Sequence, residues 1–368
     1  MINKDFSDLK WKEFSFDEIF DIKNGFYNKK PEMSNSERIP FLGATSNNNG
    51  ITGFSSLERI EKSSKTGHGK NHPLEKKIFD GNCIAVTNNG SVGYAYYQKN
   101  KFTCSHDINP LYLKNHTLNR YIAFFLIALI EKQKICFEYS RKWRPERMKK
   151  SKIIIPVTKK GIPDWNFMEE YTRSKERILL KKYVSHLMKE LNRINTEFEI
   201  TDISSIKWGE FFISDISEIE SGRDIYGPER IKGNIPYISA KSKDNGIGHF
   251  VGNENNTLEN NCISVNRNGS VGYAFYHPYK ALYSNDCRKI RLNKNKHVSL
   301  FIANQITSQR GKYGYGYKMG TGRLKRQKIM LPVDDNDNPD WDFMEYYIKQ
   351  IEYKKINKYL DYIEDRIN

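Results

Sequence analysis

Two stretches of the chain carry apolar residues at the spacing of a helical stripe. In both stretches the intervals are four, three and four residues, at Leu180, Val184, Leu187, Leu191 and at Ile356, Leu360, Ile363, Ile367. On an α-helix such positions form one narrow seam, as in a coiled coil. A Pro-Asp-Trp-x-Phe-Met motif precedes each stretch, and Asn166 with Glu169, like Asp342 with Glu345, has the spacing of a capping box. The sequence therefore predicts two helices of about 27 residues, each a rod of roughly 40 Å.

Outside these helices the pattern is mostly that of short strands. Runs such as CIAVT at 83–87, YAYYQ at 94–98 and KIIIPV at 152–157 are rich in β-branched and aromatic residues. The Asn-Gly steps of NNGSVG and RNGSVG are typical of hairpin turns, because Asn and Gly tolerate positive φ values. The apolar run at 121–130 indicates a buried helix within 117–135, since it is too short to cross a bilayer. The predicted fold class is α+β.

The strand pattern occurs twice in the chain. The phrase NCIAVTNNGSVGYAYY at 82–97 returns as NCISVNRNGSVGYAFY, and matching segments on both sides of it keep their order. A repeat at half the chain length indicates a duplicated domain. We predict domain, helix, domain and helix at 1–160, 161–199, 200–335 and 336–368. If the two helices pack antiparallel, a pseudo-twofold axis relates the domains at opposite ends of a rod; packing of each helix on its own domain is the alternative.

The charge of the chain is strongly positive. Its 368 residues include 60 Lys and Arg against 44 Asp and Glu, a net charge of +16. A charge of this size, spread along the chain, indicates a polyanionic partner, with a merely soluble basic surface as the alternative. No targeting segment is recognisable, and none of the five cysteines belongs to a C-x-x-C pair. We expect a cytoplasmic protein with no membrane partner, no disulfide framework and no metal site.

Two basic loops that contain aromatic residues precede the last strand of each repeat. In the first loop, at 139–150, Trp143 accompanies the cations Arg141, Lys142, Arg144 and Arg147. In the second, at 311–326, the candidate residues are Tyr315, Tyr317, Lys318 and Arg323. Basic side chains neutralise phosphates, Arg can also bind guanine edges, and aromatic rings pack on sugars or bases. The two loops predict a nucleic-acid surface, and a solvated basic turn is the alternative.

Two further pairs of loops fit the same use. The loops after the Ile-Pro-Phe and Ile-Pro-Tyr strands offer amide and ammonium groups at Asn47, Asn48, Lys241 and Lys243. The tips of the repeated hairpins are expected to contact DNA through Asn88, Asn89, Ser91, Asn266, Arg267 and Ser270. Amide groups suit base edges, since Asn can pair with adenine. These loops differ between the copies while the strands agree, as expected of two readers of different sequences or of ordinary loop drift.

Catalytic patterns are weak in this chain. Asp340, Glu352 and Lys354 resemble the PD…ExK set of metal-dependent nucleases, but Ile178 takes the place of the lysine in the first copy. The Glu and Lys also fall inside a predicted helix, whereas the nuclease set sits on strands. His68 and His72 have no Glu after the first His, so a polar loop is expected there rather than a metal site.

The order of motifs along the whole chain carries a resemblance to a known family. W-x-x-F, I-P-[FY], N-G-S-V-G, I-x-[IL]-P-V and P-D-W-x-F-M, repeated with a helix after each copy, resemble the specificity subunits of type I and type IIB restriction–modification systems. The resemblance implies two target recognition domains, 1–160 and 200–335, that each read half of a bipartite double-stranded DNA site. It also implies an antiparallel coiled-coil spacer on which methyltransferase subunits, with or without nuclease subunits, dock. The short helices favour the type IIB-like members.

The same resemblance implies that the chain is not itself an enzyme. S-adenosylmethionine and Mg²⁺ are then expected only in the partner subunits, and this chain needs no cofactor of its own. Two alternative functions stay open at this point: a stand-alone DNA-binding regulator, and a metal-dependent nuclease acting alone through Asp340, Glu352 and Lys354.

Overall fold

A computed structural model describes residues 6–34, 36–137, 141–194 and 202–367, with side chains described up to residue 364. Contacts divide the chain into two compact units, unit 1 at 1–182 and unit 2 at 183–368. The domain boundary predicted between residues 199 and 200 lies outside the described residues, as do positions 139 and 140 of the first basic loop. The four-part division of the sequence therefore stays a prediction.

Unit 1 combines short strands with helices. Its strands are β1 Lys10–Ser15, β2 Phe20–Ile22, β3 Ile39–Leu42, β4 Ile51–Ser55, β5 Cys83–Thr87, β6 Ala95–Gln98, β7 Thr103–Cys104, β8 Ile108–Leu113 and β9 Lys152–Val157. Its helices are α1 Phe16–Ile19, α2 Leu57–Lys62, α3 Arg120–Lys132, α4 Pro145–Lys150 and the first part of α5 Trp165–Ile194. The strands form three sheets in the orders β2-β8-β5-β6, β4-β3-β7 and β1-β9. β3 and β7 are parallel, and the other paired strands are antiparallel.

Unit 2 repeats this arrangement. Its strands are β10 Trp208–Phe212, β11 Glu218–Ser221, β12 Lys232–Ile238, β13 Ile247–Val251, β14 Cys262–Asn266, β15 Ala274–His277, β16 Leu282–Tyr283, β17 Cys287–Arg291 and β18 Lys328–Pro332. Its helices, besides the end of α5, are α6 Ile213–Ile216, α7 Lys296–Ser308, α8 Thr321–Lys325 and α9 Trp341–Ile367. The sheet orders β11-β17-β14-β15, β13-β12-β16 and β10-β18 match those of unit 1 strand for strand. The predicted duplication and the α+β class are confirmed.

The core of each unit lies between its four-stranded sheet and one apolar helix. Both helices bury the same register of positions, at Ile122, Leu126, Ile130 of α3 and at Val298, Ile302, Ile306 of α7. Full burial of such a side chain contributes about 1.5–3 kcal/mol. Each helix begins at an Asn whose side chain accepts hydrogen bonds from two backbone N–H groups of the first turn, at Asn119 and Asn295. The buried helix predicted within 117–135 is confirmed.

The repeated phrase forms a hairpin in both units, as predicted. β5 pairs antiparallel with β6, and β14 with β15, around turns at 88–94 and 267–273. The positive φ values lie at the two glycines of each turn and not at the Asn before the first of them. A Cβ on Gly93 would lie 2.7 Å from the side chain of Lys134, and one on Gly272 would lie 2.8 Å from that of Arg310. The second glycine of N-G-S-V-G is therefore needed both for its φ and for the close approach of the segment that follows α3 or α7.

The two long helices begin earlier than the sequence prediction placed their N-caps. Asp164 Oδ1 accepts from Phe167 N at 3.0 Å, and Asp340 Oδ1 accepts from Phe343 N at 2.8 Å. The prediction that Asn166 and Asp342 are the caps was wrong. The backbone N–H of Asp164 is still bonded to the Pro156 carbonyl at the end of β9, so the helix starts at the next residue. Asp340 is tied to Pro332 in the same way.

The predicted apolar seam joins the two long helices within unit 2. Leu187, Ile194 and Ile356 are buried together, with Leu191, Tyr353 and Leu360 packed around them. The ring centroids of Tyr183 and Tyr359 are 5.4 Å apart. Farther along α5, Ile194 belongs to the same cluster as Tyr353 and Ile356, which precede Tyr359 on α9. This part of α5 therefore runs antiparallel to α9. The side chain of Ile367 lies outside the described residues.

The first turns of the long helices pack on the globular cores instead. Phe167 and Met168 belong to the core of unit 1, and Met344 belongs to the core of unit 2. The long helices thus pack on the globular cores over their first turns and on each other over the seam. Among the described residues, no helix is both long and apolar enough to span a membrane.

A set of polar contacts, here called the helix clamp, ties each long helix to the N-terminus of α3 or α7. In unit 1 the Asn119 amide donates to Glu169 at 2.7 Å, and Arg120 pairs with Glu176. In unit 2 Asn295 donates to Glu345, and both Lys296, at 2.7 Å, and His297, at 3.0 Å, contact Glu352. The same offset separates every matched pair, so the clamp is part of the duplicated architecture.

The clamp predicts a pH-dependent stability. The hydrogen bond from His297, opposed in part by burial, and the bond from Lys296 lower the pKa of Glu352 to about 2. A depressed carboxyl pKa stabilises the fold above the ordinary value of 4.5, and this stabilisation is lost as the pH falls through 2. We expect Glu352→Gln to lose about 1–2 kcal/mol at neutral pH. Urea unfolding should show the gap to wild type narrowing as the pH is lowered from about 6 to about 3.

The control for this prediction is Glu364→Gln, which neutralises an exposed carboxylate on the same helix. A gap that narrows equally in both variants would show that overall charge, and not the clamp, sets the pH dependence.

Candidate nucleic-acid interface

The basic loop of unit 2 is an ordered turn that presents aromatic rings outward. Gly314 and Tyr317 exchange backbone hydrogen bonds of 3.2 and 3.1 Å, and Tyr317 stacks on Tyr313 with ring centroids 5.7 Å apart. Tyr315 is 86% exposed at the tip, and Lys318 Nζ lies 5.2 Å from the centre of its ring. A rigid aromatic ring flanked by a cation can pack on a sugar or base beside a neutralised phosphate.

A short helix carries one arginine at the same place in both units. Arg323 of α8 donates to the Lys318 carbonyl at 2.7 Å, and Arg147 of α4 donates to the Lys142 carbonyl. Arg323 also lies 4.0 Å from the ring centre of Tyr317. Both arginines are exposed, while the next residue of each helix, Met148 or Leu324, is buried in the core. The core thus anchors each helix, and the exposed arginine is held against the loop that precedes the helix.

Trp143 does not share in this surface, which corrects its assignment to the basic loop. It is fully buried, stacks on Phe137 with centroids 4.6 Å apart and donates from Nε1 to Ser151 at 2.9 Å. Met319 takes its place in unit 2 and is also fully buried. The residues around Trp143 reach outward: Arg141 and Arg144 are exposed, and Lys142 is half-buried.

The loops after β3 and β12 adopt the same left-handed turn. φ lies between +51° and +54° at the residues Asn48, Asn49, Asp244 and Asn245. The amide of Asn49 is used internally, donating to the Tyr97 carbonyl, and that of Asn245 donates to the Tyr276 carbonyl. The predicted contact residues are exposed, at Asn47, Asn48, Lys241 and Lys243. Lys241 also lies 3.2 Å from the Asp244 carboxylate.

Two of the predicted tip residues lie in the interior. Asn88 is buried and its amide donates to Asn109 Oδ1 at 2.6 Å, while Asn266 is buried and donates to the carbonyls of Lys241 and Ser270. The prediction that these two residues lie at the tips of the hairpins was wrong, because both amides are bonded to groups inside the fold. Whether the other tip residues contact DNA stays a prediction.

The two turns correspond residue by residue as the repeated phrase aligns them. Asn89 donates to Asp107 at 2.9 Å and Asn268 donates to Asp286 at 3.1 Å, so these two asparagines are equivalent. Arg267, half-buried and 3.7 Å from the carboxylate of Asp286, then takes the place of Asn88. Ser91 and Ser270 are half-buried, and their carbonyls accept from Thr87 and Asn266.

Sequence reasoning missed the aspartates and a cation that complete these turns. Asp107 and Asp286 each end a Ser-x-Asp motif at the start of a strand, a signal that was visible in the aligned copies. Lys134 Nζ lies 4.0 Å from the ring centre of Tyr94, and Arg310 covers Tyr273 in unit 2 at 5.1 Å. The cation stands at the same position in both units although its chemistry differs.

The three kinds of loop are adjacent within each unit, and we call the surface they share the loop face. In unit 1 the backbone N–H of Trp143 donates to the Asn88 carbonyl at 3.1 Å, joining the basic loop to the hairpin turn. In unit 2 the N–H of Ser270 donates to the Ala240 carbonyl at 3.1 Å, joining the turn to the loop after β12. Arg288 bridges onward to Thr321 of α8 at 2.6 Å. These contacts join neighbouring loops of each unit into one candidate surface region.

The residues that resemble a nuclease set have structural roles in α9. Asp340 caps α9, whereas Glu352 belongs to the helix clamp. Twelve residues along one helix separate them by about 18 Å, too far for one metal ion. Among the described residues, no group of three or more His, Cys, Asp and Glu side chains is placed to hold a metal.

Comparisons with known proteins match the whole chain. A family model described as the type I restriction modification DNA specificity domain covers residues 9–182 and 205–360. The specificity subunit S.BcgI of a type II restriction enzyme from Heyndrickxia coagulans is 29% identical over 357 residues, covering 95% of this chain and 97% of that protein. Among solved structures, the S subunit of a type I restriction–modification system from M. genitalium aligns with a TM-score of 0.50 and 17% identity, over 100% of this chain and 94% of that one. The structural likeness shows a shared fold.

Proposed function

This chain belongs to the family of type I restriction modification DNA specificity domains and is a specificity subunit of a restriction–modification system; we propose that its two loop faces each read one half of a bipartite double-stranded DNA site. The observation that carries this proposal is that the two units share one scaffold while their exposed loop residues differ. Arg147 and Arg323 occupy the same exposed position, while the residues around them differ between the units. Equal scaffolds with unequal loops suit an asymmetric site, because phosphate contacts position a protein and base contacts specify.

We further propose that catalysis resides in partner subunits. Methyltransferase subunits, with or without nuclease subunits, would bind S-adenosylmethionine and Mg²⁺, extrude the target base and modify it in the cytoplasm. The two alternatives lack comparable support. The nuclease would need Asp340 and Glu352 in one site, and nothing in the described residues favours a regulator that acts without a methyltransferase.

Apolar side chains on the outer face of the paired helices support the docking of a partner. Tyr183 and Tyr359 meet edge to face, and Met188 is 48% exposed nearby along α5. Tyr362 is 58% exposed one turn beyond Tyr359. Solvent-exposed tyrosines and methionines on a rigid surface are the residue types enriched in protein interfaces.

Substitution of the matched arginines tests the reading of two half-sites. We expect Arg323→Ala to weaken binding about 10- to 100-fold if the guanidinium contacts a base edge, and Arg147→Ala to do the same through the other half-site. A drop of about one in the slope of log affinity against log salt would instead mark a phosphate contact. Fluorescence anisotropy on duplexes that carry one intact and one scrambled half-site assigns each variant to its half.

Arg323→Lys is the matched control, since it keeps the charge and loses the fork of donors. If Arg323→Lys restores the wild-type dependence of affinity on salt but not the wild-type preference for the half-site sequence, Arg323 reads a base. If both alanine variants weakened binding through the same half-site, the proposal of one reader per half would fail.

A further inference from the structure

The first unit carries a basic cleft that the second unit lacks. Residues 56–81 lie where 252–260 lie in the second copy, and the shorter segment contains two glutamates and no Lys or Arg. The longer segment contains α2 and the loop KSSKTGHGKNH at 62–72. Together with Lys29 and Lys30 this loop encloses an open cleft of about 310 Å³ lined by Lys62, Gly67, His68, Gly69 and Asn71. We call it the lysine cleft.

A buried ammonium group holds the cleft in shape. Lys77 is fully buried, and its Nζ lies 3.1, 2.7 and 2.8 Å from the carbonyls of Ile60, Glu61 and Ser63 and 2.5 Å from Asn71 Oδ1. A buried charge is costly unless it is hydrogen-bonded on all sides, as it is here. The loop is therefore an ordered wall and not a loose insertion.

A second set of contacts fixes the opposite wall of the cleft. The hydroxyl of Tyr27 is 2.6 Å from that of Ser63, and the backbone N–H groups of Asn28 and Lys29 both donate to the Lys65 carbonyl, at 3.0 and 3.2 Å. Lys29 and Lys30 are exposed at the end of this segment. These contacts hold the backbone of the two lysines at the rim of the cleft.

The lining of the cleft carries more positive than negative charge. Lys62 is paired with Glu58, and Glu32, which also lines the cleft, lies near Arg59, but none of the described residues forms an ion pair with Lys29 or Lys30. A concave surface with two adjacent ammonium groups that form no ion pair attracts a polyanion, and lysine binds phosphate as a point charge.

Hydrogen bonds link one wall of the cleft to the loop face of its own unit. His106 N donates to the Tyr27 carbonyl at 2.8 Å, and the next residue, Asp107, accepts from Asn89 of the hairpin turn at 2.9 Å. The segment that leads into Lys29 and Lys30 is therefore hydrogen-bonded to the strand end that supports the hairpin turn.

We propose that the lysine cleft binds phosphate groups of the DNA that flanks the half-site read by unit 1, a contact that unit 2 does not make. This inference rests on the proposed function. It gives the complex a longer footprint on one side of its site, with no added base specificity, because phosphate contacts carry no sequence information.

The test is the double variant Lys29→Ala/Lys30→Ala in the full chain with its partner subunits. We expect the slope of log affinity against log salt to fall by about 0.9 for each phosphate that the variant no longer neutralises, and phosphate-ethylation interference to disappear on the flank of the first half-site alone. The matched control Lys159→Ala/Lys160→Ala removes the same charge from an exposed turn after β9. Lys77→Met, which removes the internal support, should abolish the same interference while both half-sites are still read.

Equal salt slopes and interference patterns for the two double variants would overturn the inference. That failure is separable from failure of the proposed function, because wild-type protein would still protect a bipartite site. Wild type that protects no specific duplex would overturn the proposed function instead.

Discussion

Replacing residues 200–335 with the corresponding segment of another specificity subunit should change one half of the recognised DNA sequence and leave the other half unchanged. We expect this because unit 2 has its own core around α7, and its loop face is built from its own strands and turns. Sequencing of modified sites from cells that carry the chimaera measures the outcome. A change in both halves would contradict the assignment of one reader to each half.

The chain offers its own control for that exchange. Residues 1–160 placed at 200–335 should fit the second long helix, because Asn119 and Arg120 have the same clamp chemistry toward Glu345 and Glu352 as the native Asn295 and Lys296. The resulting chain should read the first half-site twice, in opposite orientations if the predicted pseudo-twofold relation holds. Retention of the original asymmetric site would show that unit 1 does not carry the specificity of its half.

Removal of the exposed tyrosines should uncouple DNA reading from modification. Tyr183→Ala and Tyr359→Ala remove two partly exposed rings that meet edge to face on the paired helices. Loss of an interface hot spot costs about 2 kcal/mol, or roughly 30-fold in affinity for a partner. We expect the double variant to lose co-purifying methyltransferase while its DNA affinity is unchanged. Size-exclusion chromatography of the mixed subunits, with a separate DNA titration, measures both.

Lys354→Ala is the matched control, because it changes an exposed residue of the same helix outside the tyrosine patch. It should leave assembly, binding and modification intact. Loss of DNA cleavage by the purified chain on this change would instead revive the nuclease alternative, and unaltered assembly of the tyrosine variant would remove the docking role of the helices.

The sequence predicts the scaffold well because scaffolds depend on local patterns. The strands at 83–87 and 152–157 have the bounds that their β-branched runs indicate, and the helical seam follows from residue spacing alone. The caps of the long helices were misplaced because each motif offers two capping candidates two residues apart. A hydrogen bond between Asp164 and Pro156, which only tertiary structure provides, selects the first of them.

The candidate interface is less predictable because side-chain identity does not reveal burial. Asn88 and Asn266 satisfy internal groups, although an asparagine in a polar turn suits solvent equally well. Trp143 stands among four cations in sequence, and its partner Phe137 lies outside the motif. The lysine cleft depends on Lys77, whose four oxygen partners come from two segments of the insertion. The spacing of residues in the sequence does not predict such a contact.

The left-handed turn after β3 and β12 limits how this surface can evolve. Positions 48 and 49, like 244 and 245, hold φ values that Asn, Asp and Gly tolerate and that β-branched or bulky residues resist. Codons for Asn and Asp differ by one nucleotide, so the step from Asn48 to Asp244 exchanges an amide for a carboxylate without refolding the turn. Substitutions at these positions are therefore limited to a few residue types. Larger changes of side chain, and with them larger changes of specificity, have to occur at neighbours such as Asn47 and Lys243, where the backbone is extended.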